Sequence, residues 1–544
     1  MLKESQKQQN FGSDLEVSKS KNSFTSEDNL SCQIIANISI NNAQHYPKSN
    51  HGEGLDGGLG ELDSIDIISR ALELNGKIQA KSTNLTIIQG ANKINYQKGT
   101  LVGNIKGEGN SPRLAIDTKS LGGMYADRIN ILATESGVGV NLSDLRNIRG
   151  DITINVNGDV NLIREFNTDK LKSRNILAKT DLNIGAKITT DKGDLIVRTK
   201  SLESKVISKF DRLTKYDNDL AKDTAIDLAF SREGIHSWGN SYIYADILNS
   251  TNNITSKKDL ILTGQELNHS YISGLYHKPN PYVKITPQIK AQNNLVIDFN
   301  KSVNINTKQF NDAYFRTDDQ YAYRMNHIND DSISVEGKNV IVKANEINIH
   351  GAIKANNDLK FIANNNINAI KSELKAENEV SLIAGNNIDL RRLKLYAKSA
   401  NLIGKDGNVK VYGISDEDSI VKTYTDLPYA IASFIGTLQD LIVSAGKNIT
   451  FENTRLVGKT ENIIFSANED ITIENNDKEL RNYVMSPAHE QMSKQILGEP
   501  FELRSPILAK NLSMTAGKNL VLADVQINCW GGGGEQIIAV VIMI

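Results

Sequence analysis

The stretch DLKFIANNNINAIKSELKAENEVSLIAGNNIDLRRLKLYA, residues 358–397, says one phrase twice. Each copy has a short run of alternating apolar residues, then an alanine, a Gly/Asn corner and a second alternating run. Alternation at period two is a strand signal. Gly and Asn tolerate positive φ, which a tight corner requires. No helical 3.6-residue pattern joins one strand to the next.

The phrase recurs outward from this stretch. NVIVKANEINIHGAIKA precedes it from Asn339, and DLIVSAGKNITFENTRLVG, NIIFSANEDITIENN and NLSMTAGKNLVLADVQIN follow from Asp440, Asn462 and Asn511. A small residue marks the register: Ala344, Ala363, Ala384, Gly404, Ala445, Ala467, Ala516. The first gaps are 19, 21 and 20 residues. The gap of 41 before Ala445 reads as two turns, and the gap of 49 before Ala516 as one turn with an insertion. Fainter copies lie upstream in GDITINVNGDVNLI, GDLIVRT, DLILTG and NLVIDF. Parallel strands joined only by corners, about 20 residues per turn, describe a parallel β-helix. Twenty-odd coils at about 4.8 Å each would form a rod on the order of 100 Å long.

Bulk composition fits that reading. The chain has 544 residues, 39% hydrophobic but only 6% aromatic, so a thin core of Ile, Val, Leu and Ala is expected. Its net charge of -2 gives no electrostatic footprint for nucleic acid. Cys32 and Cys529 lie near opposite ends and outline no disulfide framework or cysteine metal site. No apolar run is long enough for a membrane-spanning helix. Between about 200 and 335 the period breaks, and two Tyr-rich segments occur, YISGLYHKPNPYV and FNDAYFRTDDQYAYRM. They read as loops or side hairpins, either for recognition or as cover for strand edges.

LAIDTKSLGGMYADRINILATESGVGVN (114–141) raises the question of a phosphate loop. GxGxxG is absent, because Val140, Asn141 and Leu142 follow Gly139, and no helix pattern follows. Gly122, Gly123, Gly137 and Gly139 therefore read as corners. This segment resembles the region just beyond the secretion domain of filamentous haemagglutinin-like exoproteins of two-partner secretion systems. GELDSIDIISRALELNGKIQAKSTNLTIIQGANKINY (60–96) resembles the end of that domain, and the AGKN and AGNN corners resemble the family's haemagglutinin repeats. The family includes the carriers of contact-dependent growth inhibition. The resemblance implies an all-β, right-handed, single-stranded parallel β-helix. It implies export through an outer-membrane β-barrel transporter that recognises the secretion domain, and a coil-by-coil folding of the chain as it emerges.

The chain also departs from that family. The first residues, MLKESQKQQNFGSDLEVSKS, hold no apolar signal core, and the family's NPNL and NPNGI motifs are missing. The part before Gly60 is too short for the front of a secretion domain. The tail CWGGGGEQIIAVVIMI has no strand register and reads as the end of a truncated solenoid. The expected division is a polar, disordered segment at 1–50, a secretion-domain remnant at 51–104 and a β-helix bearing the family motif at 105–200. A β-helix with Tyr-rich loops follows at 201–335, haemagglutinin-type repeats at 336–528 and an irregular tail at 529–544.

Some parallel β-helices are glycan-cleaving enzymes, which need convergent carboxylates. Asp318–Asp319 and Asp330–Asp331 are adjacent in sequence, so on a strand their side chains point to opposite faces. His236, His269 and His277 show no metal-ligand spacing. GGLGEL (57–62) approximates a calcium nonapeptide but has Leu62 where Asp is needed. Arg391, Arg392 and Lys394 form a small basic cluster, either a site for sulfated glycans or a solvated face. No catalytic, cofactor-binding or metal residue is assigned, and no cofactor is expected. The expected function is that of a structural and interaction protein. It is read as the rod segment of a secreted or surface-displayed adhesin that mediates contact with a host or neighbouring cell through a receptor or glycan. The alternatives are the stalk of a contact-dependent toxin carrier and a non-functional truncated remnant.

Overall fold

The computed structural model describes residues 15–17, 31–34, 37–40, 54–56, 64–74, 77–95, 100–107, 109–118, 123–167, 187–209, 234–270, 287–306, 333–370, 372–413, 433–475 and 507–529. All regular structure among them is β-strand. The chain divides into two compact units, Met1–Gln265 with Ile272–Ala291, and Glu266–Tyr271 with Gln292–Ile544. Each is a parallel β-helix.

In the first unit three stacks of apolar side chains run from coil to coil. On one face Ile87, Ile131, Ile154, Val197 and Ile243 are consecutive register partners. On a second, Ile78, Met124, Leu145, Ile188, Ile235, Ile254 and Ile289 follow one another. On the third the order is Leu72, Ile116, Val140, Val160, Leu202, Leu248. Members of all three stacks are buried. Burying such a side chain is worth about 1.5–3 kcal/mol, and in a parallel ladder each stands on its equivalent one coil below. Period-two alternation thus becomes a continuous core without any helix covering the sheet.

The second unit repeats the plan. Strands Asn339–His350, Asp358–Ile370, Glu379–Ala384, Ser399–Gly404, Asp440–Ala445, Thr460–Ala467 and Ile507–Ala516 stack in order. Their marker residues pair directly: Ala344 with Ala363, Ala384, Gly404, Ala445, Ala467 and Ala516 in succession. Gly404 and Ala445 are direct partners, so the 41-residue gap is one coil and not two turns. The extra length, 414–432, lies outside the described residues, as does the insertion before Ala516. Sequence spacing alone cannot separate two plain coils from one enlarged coil; only the ladder partner does.

Each coil has three strands where the sequence phrase shows two. The third is short: Ala352–Ala355, Glu373–Ala376, Lys394–Tyr396, Ser433–Gly436, Thr454–Val457. It stacks Ile353, Leu374, Leu395, Ile435 and Leu456. Three or four residues are too few to show a period of their own. Among the described residues the largest fully buried side chains are Phe299, Phe361, Phe434, Phe451 and Phe465, all in this unit. Phe451 and Phe465 meet edge to face, 5.2 Å between centroids.

Among the described residues, two features break the simple parallel plan, both in the first unit. Ser31–Ile34, Asn92–Asn95 and Thr100–Asn104 form a three-stranded antiparallel sheet. Asn37–Ile40 pairs parallel with Ala71–Leu74 and antiparallel with Leu15–Val17. The region read as a polar, disordered segment at 1–50 thus carries strands, formed where short alternations such as NISI meet a ready partner edge. The glycines of the opening question also divide. Gly137, at φ 78°, is a corner. Gly123 and Gly139 lie in strands, Gly123–Ala133 and Gly139–Asn141, and a Cβ on Gly139 would come 2.8 Å from the Asp159 carbonyl oxygen. Close packing of neighbouring coils, not turning, keeps that position small. Gly122 lies outside the described residues.

Candidate partner-recognition surface

The antiparallel sheet lies on the side of the β-helix and is fixed there by both apolar and polar contacts. Ile94, from its middle strand, is buried together with Ile68 and Ile88 of the coils, with Leu132 packed alongside. Ile67, Ile68, Ile87 and Ile88 are all buried, so these strands are apolar on both faces. The paired apolar runs DIIS and TIIQ are the sequence mark of a coil covered from outside.

A polar corner locks the rim of this cover. Ser69 Oγ donates to Gln89 Oε1 at 2.7 Å, and Asn92 Nδ2 donates to the Gln89 carbonyl at 3.0 Å. Thr134 Oγ1 lies 2.6 Å from Asn92 Oδ1 and 3.2 Å from the Gln89 carbonyl. Arg70 grips Glu135 with two hydrogen bonds, Nη2 to Oε1 at 2.9 Å and Nε to Oε2 at 3.2 Å. Both side chains are largely buried, at 8% and 16% exposure. Glu135 is held below the usual glutamate pKa, chiefly by the Arg70 hydrogen bond, with the Ser111 hydroxyl and the Arg70 charge adding and burial opposing. Arg70 is raised by its hydrogen bond to the same carboxylate. A bidentate, sheltered pair resists screening and fixes geometry better than a surface pair. It ties the start of one coil to the corner of another. Outward from this clamp, the outer strand Thr100–Asn104 exposes Leu101 and Val102, the latter at 57%. The arrangement is an apolar-tipped platform anchored to the coils, suited to binding a protein partner.

The candidate chemistry of the sequence is scattered. His236 Nδ1 lies 2.9 Å from Thr255 Oγ1 on the next coil, a structural hydrogen bond. His269 is buried. His277, both Asp pairs, the GGLGEL segment and both Tyr-rich segments lie outside the described residues. Of the basic cluster, Arg391 stands over the Tyr412 ring at 5.7 Å, together with Lys410 at 4.3 Å. Cys32 lies in the antiparallel sheet and Cys529 ends the last described strand. Among the described residues no group of three His, Cys, Asp or Glu side chains is placed to hold a metal ion, and no helix is long and apolar enough to cross a membrane.

The Gly/Asn corners carry the second organised polar feature. In the second unit, Asn387, Asn408, Asn448, Asp470 and Asn519 each donate a backbone N–H to the side-chain oxygen one coil earlier, at 2.9–3.1 Å. The asparagine side chains repeat the bond with their own amides, as Asn448 does to Asn408 at 3.1 Å. The first unit uses Asp151, Asp194, Asn240 and Asp259 in the same way. Sequence reading identified Gly/Asn corners but missed both the aspartates among them and the ladder, whose signal is the recurrence of Asn or Asp immediately before the apolar strand.

Comparison with known proteins agrees with this geometry. A family model described as the TPS secretion domain matches residues 21–162, which include the antiparallel sheet, the Arg70–Glu135 clamp and the first coils. The matched span begins before the 51–104 segment and continues well beyond it. The chain is 38% identical over 157 residues to the tRNA nuclease CdiA of Escherichia coli strain NC101, covering 28% of this chain and 5% of that protein. It is 48% identical over 108 residues to a Toxin CdiA of Escherichia coli, covering 20% of this chain and 3% of the other. Against the tRNA nuclease CdiA of Yersinia mollaretii it is 34% identical over 217 residues, 40% of this chain and 6% of the relative. The match thus spans only about a twentieth of the length of the curated relatives. No solved structure matches the chain. The secretion-domain match over residues 21–162, the CdiA relatives and the β-helix together relate this chain to the two-partner secretion exoproteins of the CdiA and haemagglutinin-like kind.

Proposed function

We propose that this chain is the export domain and adjoining β-helical stalk of a contact-dependent growth inhibition carrier, secreted or displayed at the outer-membrane surface. The observation that carries the reading is the continuity of the matched span with the coils. Residues 21–162 match the secretion domain, and Ile154 passes in register to Val197 and Ile243 beyond it. An outer-membrane transporter is the partner such a domain implies. The side sheet with Leu101 and Val102 is the surface offered to it. The stalk itself is a non-catalytic spacer in this reading, and the nuclease activities in the relatives' names are said of those proteins. The boundaries at 51, 105, 201, 336 and 529 belong to the same reading.

The corner ladder suits folding during passage. In its side-chain bonds the acceptor stands in the earlier coil and the donor in the later one, while Ile388, Val409, Ile449 and Ile471 donate backbone N–H groups the other way, to the corner carbonyls of the next coil. A coil that emerges second finds those side-chain acceptors already placed. A second reading, a surface adhesin, is favoured by the AGNN and AGKN corners that resemble haemagglutinin repeats.

The test is partner-dependent export. The chain, directed to the periplasm by a standard signal, is expressed with and without its outer-membrane barrel partner and followed in the medium and on intact cells. Extracellular chain that requires both the barrel and residues 21–162 is the expected result. Retention in the periplasm with the barrel present, or release without it, overturns the proposal. Growth inhibition in co-culture, against cell adherence, then separates carrier from adhesin.

A further inference from the structure

The antiparallel sheet returns to the coils through residues 105–107 and 109–113. This segment starts beside a coil corner, where the Ile105 N–H donates to the Ala91 carbonyl at 2.9 Å. It then crosses Arg70. Gly107 is not in the left-handed region, and close contact accounts for it instead: a Cβ there would come 2.5 Å from Arg70 Nη2 and 2.6 Å from Cζ. The chain turns at Gly109, at φ 71°. Ser111 reaches Glu135 with its hydroxyl, and Leu114–Thr118 rejoins the coils beside Ala71–Leu74. From below, the Arg70 carbonyl accepts the Gly90 N–H at 3.1 Å. The segment is therefore a strap laid across the Arg70–Glu135 pair, touching one partner at Gly107 and the other at Ser111.

The order of these residues along the chain gives the strap its meaning. Arg70 comes first, the strap second and Glu135 last. Arg70 is only 7% exposed in the finished fold. Laid over Arg70 before Glu135 is present, the strap would shut a guanidinium away from water without a counter-ion. That costs more than a single backbone hydrogen bond to the coil corner returns. With Glu135 in place, two hydrogen bonds at 2.9 and 3.2 Å meet the charge, and the same strap closes without that penalty. The middle strand of the sheet needs no such fastening, because Ile94 is seated on Ile68 and Ile88. The outer strand Thr100–Asn104 lacks that anchor. Its Leu101 and Val102 are exposed, and its pairing with Asn92–Asn95 is interrupted by a register shift between Lys93 and Ile94.

We propose that Arg70 and Glu135 are a latch for this strap, and that the outer strand Thr100–Asn104 stays unfastened until the coil carrying Glu135 has been laid down. The sheet then closes late, on a signal from a downstream coil. Gly107 and Ser111 are the positioning residues: one admits the guanidinium beneath the chain, and the other ties the strap to the carboxylate. The inference concerns the closing of the sheet alone. It goes beyond the carrier reading, and its test uses no partner, so the failure of one is distinct from the failure of the other.

The experiment is limited trypsin digestion of the purified full chain under native conditions, with fragments followed by mass spectrometry. Lys106 and Arg113 are exposed on the strap, and a protease cuts there only when the local backbone opens. Arg128, Arg146 and Arg149 are exposed on the coils and report general loosening. Glu135→Gln leaves Arg70 sheltered without a counter-ion. It should be cut after Lys106 at least tenfold faster than wild type, with the three coil arginines still resistant. Gly107→Val should behave alike, because its side chain displaces the guanidinium or lifts the strap. Adding Arg70→Met to Glu135→Gln should return cleavage to near the wild-type rate, since no charge remains to be sheltered. A role in packing alone would make that double variant the worst of the three. During refolding from urea, trypsin pulses should find Arg128 protected no later than Lys106. Fast cutting of wild type after Lys106, an unchanged rate in Glu135→Gln, or comparable cleavage at the coil arginines each overturns the proposal. So does a double variant cut as fast as Glu135→Gln, or a Lys106 protected before Arg128.

Discussion

The clamp between Arg70 and Glu135 is where single residues matter most for the first unit. Their two hydrogen bonds and low exposure make the loss of one partner costly, because the other charge stays sheltered without its counter-ion. Glu135→Gln should destabilise the first unit by about 3 kcal/mol at neutral pH. The sign of the pH dependence follows from the lowered Glu135 pKa. The stabilisation is full above the unfolded glutamate value of about 4.3 and is lost as pH falls through the folded value. Urea midpoints measured against pH should therefore converge for wild type and Glu135→Gln in acid; parallel curves down to the lowest pH would dismiss the clamp. Gly385 marks a different residue-scale limit. A Cβ there would run into the Asn364 carbonyl oxygen of the preceding coil. Gly385→Ala should cost on the order of 1–3 kcal/mol by overpacking, read as a lower unfolding midpoint, and an unchanged midpoint would mean the coils part easily. The glycine was legible as a corner former in AGNN. That a neighbouring backbone, not a dihedral angle, constrains it was not.

Among elements, the corner ladder and the Phe pair are the parts most open to measurement. Asn408 accepts two bonds from Asn448, at 3.1 Å each, and donates its own backbone and side-chain amides to Asn387. Each net bond is worth about 1 kcal/mol. Asn408→Ala should cost about 1–2 kcal/mol and speed hydrogen exchange at the Asn448 amide. Asn408→Asp keeps the acceptor and should preserve that protection, as Asp470 does for Asn519. Equal protection in both variants would show that the side chain is a bystander. In the core, Phe465→Ala removes the edge-to-face partner of Phe451 and leaves a cavity between coils. A loss of about 3–5 kcal/mol is expected, visible in denaturant unfolding of the second unit. The long strands of these coils were legible from alternation alone. The short third strand, such as Lys394–Tyr396, was not, because three residues carry no readable period.

For the whole molecule, stability should behave as a chain of neighbouring coils, since each coil pairs mainly with the one before and after. Deleting one plain coil, residues 377–397, keeps the Ala363-to-Gly404 stacking chemically equivalent: Asp358–Ile370 would meet Ser399–Gly404 in place of Glu379–Ala384. The expected outcome is a folded protein with a modestly lowered midpoint and undiminished partner-dependent export. Loss of all β-structure on that deletion would show that the coils are not interchangeable. Deleting the side sheet strands 92–104 should instead abolish export while leaving the second unit's unfolding unchanged, measured by extracellular yield and by denaturant melt on purified protein.

The class of fold and its relationship were legible in local patterns alone. Alternation, small marker residues and Gly/Asn corners at about 20-residue spacing admit little but a parallel β-helix, because each signal is local and repeats along the chain. The residues at 60–96 and 114–141 likewise carried the secretion resemblance on their own. Register and cover came from the folded coils. Folding made Gly404 the neighbour of Ala445 across 41 residues, laid Ile94 over Ile68 and Ile88, and joined Arg70 to Glu135. It also set Arg198 beside Tyr244 on adjacent coils. These are pairings between residues far apart in the chain, and their energies depend on which coil lands on which. No local pattern records that choice; the stacking of whole coils makes it.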